Sequence, residues 1–158
     1  MKPAAFALLD EYQRAIADLK AVVARISTAQ LVAIADADTK DPDCRSIQTV
    51  LTHTVQAGYN YAVCIRKHKG ENLAYYTIGL LPDAEAYLAA LDEMWEYNKK
   101  TLNDYPKIVL CQKNNDKKMV TRWGQMYDVE QLLEHAIVHI LRHRRQIERF
   151  LAIIGSSE

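Results

Sequence analysis

Apolar residues recur every three to four positions along four long stretches, and that period confines the chain to a helical fold. Residues from about 3 to 25 carry Phe6, Leu9, Ile16, Leu19 and Val23, with Ile26 just beyond. Residues 46–68 align Ile47, Val50, Leu51, Thr54, Gly58, Tyr61 and Ile65. Residues 82–104 align Ala84, Tyr87, Leu88, Leu91, Met94, Trp95 and Leu102. The last stretch, 129–154, aligns Val129, Leu133, Ala136, Ile140, Ile147, Leu151 and Ile154. Only five Gly and four Pro interrupt 158 residues, and no long alternating Val/Ile/Thr stretch offers material for a sheet.

Local punctuation agrees with this division. Ser27-Thr-Ala-Gln30 has the form of a capping box and predicts a short helix over about 28–35. Ser46 caps the second long helix, and Lys69-Gly70 closes it. Pro82 suits the first turn of the third, and Pro106 ends it. Asp128-Val-Glu-Gln131 is a second capping box, opening the last helix, which Gly155 follows. Between them, residues 107–127 predict a loose hairpin or ordered loop broken by Gly124, with Trp123 as a packing anchor. The expected fold is all-α: a single four-helix-bundle domain over 1–158, with a first connection of about 20 residues. A connection of that length leaves handedness and helix order open.

Composition narrows the function classes. Twenty basic residues balance twenty acidic ones, so no global charge draws the chain to nucleic acid or an anionic membrane. No apolar run reaches the ~18–20 residues that span a bilayer, and Glu11 and Arg14 follow too soon for a signal peptide. Cys44, Cys64 and Cys111 form neither a CxxC pair nor a disulfide framework, which predicts a reducing cytoplasm. The acidic loop 36–45 does not make an EF-hand. Counted from Asp36, position six is Asp41 instead of Gly, and position twelve is Ile47 instead of Glu.

Three of the five histidines, His135, His139 and His143, stand at four-residue spacing on the last helix. On a wheel of ~100° per residue, His143 falls roughly 40° from the core direction, His139 roughly 80° and His135 roughly 120°. His139 and His143 can therefore point between helices, while His135 belongs to the rim. Two imidazoles one turn apart can share one metal ion, and they need a third ligand from another helix. His53, on a flank of the second helix, is the candidate. His68 lies ~22 Å farther along that helix and Cys64 ~16 Å, too far for the same ion. Gln146, or a third-helix side chain such as Trp95 or Glu96, is expected to line the pocket. A pair of hydrogen-bonded core histidines remains the competing reading of the spacing. The stretch lacks the Glu of HExxH, so it gives no support to a zincin protease.

The His53 segment Val50-Leu-Thr-His-Thr and the later His139-Ile-Leu-Arg-His143-Arg-Arg-Gln146 together resemble the DinB/YfiT-like family of four-helix-bundle proteins, to which metal-dependent chemistry is ascribed. The likeness runs over nearly the whole chain. Arg144 and Gln146 match an Arg-Gly-Gln run frequent in the family, while Arg145 replaces its Gly. The resemblance implies a divalent metal, zinc or nickel, held by His53, His139 and His143. It also implies a homodimer. Characterised relatives use low-molecular-weight thiols in transfer or isomerisation, and many members have no known reaction.

Three functions follow as expectations. The first is a thiol-dependent transferase acting on a small-molecule substrate: the ion lowers the thiol's pKa, and Arg142, Arg144 or Arg145 contacts its carboxylates. The second is a metal-dependent hydrolase, for which no carboxylate stands out as general base. The third is a bundle that binds metal or a small ligand without catalysis. Gln146, His135, Trp95 and Arg142 are the expected pocket or outer-shell residues.

Overall fold

Helices form where the periodicity and caps direct them. The computed structural model describes residues 3–155, so residues 1, 2 and 156–158 of the expected domain lie outside the described residues. The helices are α1 (Pro3–Val23), α2 (Thr28–Val32), α3 (Ile47–His68), α4 (Ala84–Asp104) and α5 (Val129–Gly155). Two 3₁₀ turns, Pro42–Cys44 and Asn115–Lys117, and a two-stranded antiparallel hairpin complete the set. Its strands are β1 (Met119–Val120) and β2 (Met126–Tyr127).

Reciprocal caps open three of the helices. Gln30 N–H donates to Ser27 Oγ while Ser27 N–H donates to Gln30 Oε1. Ser46 and Thr49 exchange the same pair of bonds at α3, as do Asp128 and Gln131 at α5. Each box satisfies backbone amides that the first turn leaves without partners. Two boundaries move from expectation. The helix α2 stops at Val32 because Ile34 bridges to Ser46 and the Ala35 and Asp36 amides donate to the Arg45 carbonyl. At α4 the cap is Asp83, whose Oδ1 accepts from Ala86 N–H at 2.8 Å, so Pro82 precedes the cap instead of occupying the first turn.

Four long helices surround one apolar core that includes Tyr12, Leu19, Leu51, Tyr87, Leu91, Leu132 and Phe150. Around the bundle the order is α1–α5–α3–α4, with α4 again touching α1. Pairings fix the directions. Thr52 meets Tyr87, Gly58 meets Asn98 and Arg66 meets Asp104, so α3 and α4 run parallel. His53 meets both His139 and His143 while Tyr61 meets His135, so α5 runs against α3. On the other side, Phe6 and Leu9 share a groove with Trp95 and Lys99, whereas Lys20 pairs with Asp92, so α1 runs against α4.

Parallel neighbours cannot be joined by a tight turn. The chain from residue 69 to 83 therefore returns along the length of α3 as an extended strap. Gly70, at φ 94°, makes the left-handed turn that starts it. Side chains of α3 then hold the strap's backbone. Lys67 Nζ donates to the Leu73 carbonyl, and the Asn60 amide exchanges two bonds with Tyr76 at 2.8 and 3.0 Å. Farther along, Gln56 Oε1 accepts from Ile78 N–H and Gln48 Nε2 donates to the Leu81 carbonyl.

Candidate metal centre and its cavity

The centre lies between α3 and α5. His53 projects from α3, and His139 and His143 project from successive turns of α5. Their Nε2 atoms converge: His53 and His139 are 3.0 Å apart, and His139 and His143 are 3.2 Å apart. All three ligand atoms lie within 4.8 Å of one another, a grouping that can hold one metal ion. Nitrogens bound tetrahedrally at ~2.0–2.1 Å stand about 3.3 Å from each other, close to the observed spacing.

The outer nitrogens decide what the inner ones offer. Asp43 Oδ2 lies 3.0 Å from His53 Nδ1, and Gln146 Oε1 lies 2.9 Å from His143 Nδ1. Both oxygens are acceptors, so each Nδ1 carries the proton and donates it. Each of these Nε2 atoms therefore turns a lone pair toward the centre. His139 Nδ1 is buried with no partner among the described residues. If His139 holds its proton on Nε2, that single N–H faces two lone pairs and satisfies only one. If it holds the proton on Nδ1, three lone pairs converge with no donor. Both tautomers leave an excess of electron pairs, and a cation resolves it.

A proton fits poorly in that place. Burial pushes the His139 imidazole down to about 2, with His143, His53, His135 and Arg142 acting in the same direction. Burial likewise lowers His143 to about 4, opposed by the bond to Gln146. Both rings are neutral at pH 7, the protonation state of a metal ligand. The donor set therefore fits a divalent ion.

Beside the centre opens a cavity of about 420 Å³, lined by His53, His139, His135, Tyr61, Trp123 and Arg122 among others. His135 is half-buried at its wall and stacks on Trp123, with ring centroids 5.0 Å apart. Tyr61 meets both His135 and His139 edge-on, at 5.5 and 5.7 Å.

The structure brings His53, His139, His143, Gln146 and His135 to one place. Arg142 is exposed on α5, where its charge acts on His139, His143 and Cys44. Trp95 and Glu96 are corrections. The bundle order sets α4 diagonally across from α5, so α4 cannot line a cleft between α3 and α5. Trp95 packs edge-on against Tyr12 of α1, and Glu96 pairs with Lys99 on the surface. Trp123 is also corrected: it is 44% exposed and lines the cavity instead of anchoring the core. Arg144 faces α1, tied to Asp18 at 2.9 Å. Cys64 lines the cavity but stands outside the histidine cluster.

Asp43, Arg122 and Tyr61 are site residues that helix periodicity does not reveal as such. Asp43 reaches His53 from the 3₁₀ turn that precedes α3, ten residues earlier, outside any i±4 relation. Its one sequence signal is an acidic loop of suitable length just before the Ser46 cap.

Helix order and site together define an all-α bundle with an interhelical three-histidine centre. The chain belongs to the DinB superfamily, whose sequence model matches residues 11–147. Among solved structures it resembles a protein assigned to the DinB family from Exiguobacterium sibiricum. The two share 18% identity at a TM-score of 0.66, over 98% of this chain and 94% of that one. That likeness concerns the fold. No curated protein matches the chain. No described helix is long and apolar enough to cross a membrane.

Proposed function

We propose that this chain is a metal-dependent enzyme that uses a low-molecular-weight thiol to attack a small-molecule electrophile. One observation carries the reading: three Nε2 atoms converge at the wall of an open cavity, two of them turned inward by Asp43 and Gln146. A divalent ion such as zinc or nickel, when bound there, supplies an open position at which a thiol or water loses its proton more easily.

The chain's own residues do the rest. His53, His139 and His143 hold the ion, and Asp43 and Gln146 fix two of the rings. Tyr61, Trp123 and His135 narrow the space beside the centre and present aromatic surface to a substrate. Among the described residues the cavity lining contains no Asp or Glu, and so no carboxylate general base. Thiol transfer needs none, because the thiol itself becomes the nucleophile. The alternative, a metal-dependent hydrolase, would rely on His135 to accept a proton at the wall.

Metal-replete protein assayed with a panel of small thiols and an aryl halide separates these readings. Turnover with one thiol, abolished in His53→Ala, is the expected result. Ester or phosphoester hydrolysis without thiol would favour the hydrolase. No turnover with any thiol would leave a bundle that binds metal or ligand without catalysis. Cytoplasmic location and a homodimeric state belong to this same proposal, and sedimentation of the full chain tests the latter.

A further inference from the structure

Beyond the histidine centre, the cavity is lined by side chains that can donate hydrogen bonds. No carboxylate among the described residues lines it, although the chain as a whole is neutral. Arg122, at the turn of the β1–β2 hairpin, has no ion-pair partner among the described residues. Its guanidinium rests on the Tyr75 ring, 4.7 Å from the centroid. Tyr61, whose phenol hydroxyl can donate a hydrogen bond, lines the same cavity. Gln56, another lining residue, uses its oxygen to accept from Ile78 N–H, so its NH₂ group is not spent on that bond. Asn60 is not available, since Tyr76 occupies both ends of its amide. Beyond the histidines, a guanidinium, a phenol hydroxyl and an amide thus line the space, with no carboxylate among the described residues there.

We infer that this cavity binds a small organic carboxylate, with the carboxylate on Arg122 and a flat apolar body against Trp123 and Tyr61. The guanidinium fork matches the two oxygens of one carboxylate. The stacked Trp123 and His135 rings and the edge of Tyr61 supply apolar walls for the body. The inference deepens the proposed function by naming the substrate class, and it rests on that reading for its catalytic meaning only. A dication held by three neutral imidazoles keeps its charge, which adds to the pull on an anion.

Calorimetric titration of metal-loaded protein with 3-phenylpropanoate and with 3-phenylpropanamide tests it. Wild type should bind the carboxylate at least about tenfold more tightly, the weight of one charge-assisted hydrogen bond. Arg122→Gln should weaken carboxylate binding at least about tenfold and leave amide binding unchanged. Arg122 is exposed, so the variant should fold, and a thermal melt checks this. Equal binding of the two compounds, no binding of the carboxylate, or carboxylate binding undiminished in Arg122→Gln would overturn the inference. Repeating the titration on metal-free His53→Ala protein separates the two proposals. An Arg122-dependent preference there upholds the carboxylate site even if the histidines take no ion. Metal binding without Arg122 dependence upholds the centre and removes the carboxylate.

Discussion

His139 stands between two imidazoles whose outer nitrogens are already engaged, and its own Nδ1 is buried without a described partner. The centre therefore depends on Asp43 and Gln146 to aim its lone pairs. Asp43→Ala or Gln146→Leu should weaken metal binding about 10–100-fold, as loss of an outer partner typically does. Competition against a chromophoric chelator measures this, and unchanged affinity would show that the rings need no such orientation. The lowered imidazoles also set a pH dependence for the metal-free protein. Unfolded, His139 and His143 take up protons near pH 6.5, whereas folded they wait until about 2 and about 4. The unfolded state binds more protons throughout that window. Stability should therefore be complete above about pH 6.5 and fall as the pH drops toward 4. Urea denaturation across that range, compared with a His139→Phe, His143→Phe double variant, tests the sign. Equal acid sensitivity in both proteins would argue against it. At this scale the sequence exposes the His139–His143 pair through spacing and His53 through flank position. It hides Asp43 and Arg122, because loops deliver them and no helical period records where a loop will fold back.

The helices follow from period and caps, since both act within one or two turns of chain. The strap 69–83 does not, because its bonds run to Asn60, Gln56 and Gln48 of α3, far away in sequence. Asn60→Ala removes two of them and should destabilise the protein by about 1–3 kcal/mol, with the strap gaining amide exchange ahead of α3. Uniform exchange in both segments would contradict that assignment. Gly58 marks a different constraint, the close approach of α3 to α4. A Cβ there would stand 1.9 Å from Met94 Sδ, and Met94 is fully buried. Gly58→Ala should therefore cost about 1–3 kcal/mol through overpacking. Met94→Ala clears the space, so the double variant should lose less than the sum of the two singles. Strict additivity in chemical denaturation would show that the contact is not the cause.

For the whole molecule, bundle order connects fold to site. Placing α3 beside α5 brings His53 to His139, 86 positions later in the chain. Placing α4 diagonally across from α5 keeps Trp95 away from them. An all-α class with a long first connection is legible in the sequence, whereas order is not: amphipathic faces state that helices pack, not which pairs meet. Two helices thereby bring together three histidines that can hold one metal ion. Elemental analysis of metal-replete wild type beside His53→Ala and His143→Ala tests this most directly. One divalent ion per chain is expected in wild type, with its loss in both variants. Wild type without metal, or variants that retain it fully, would contradict the account.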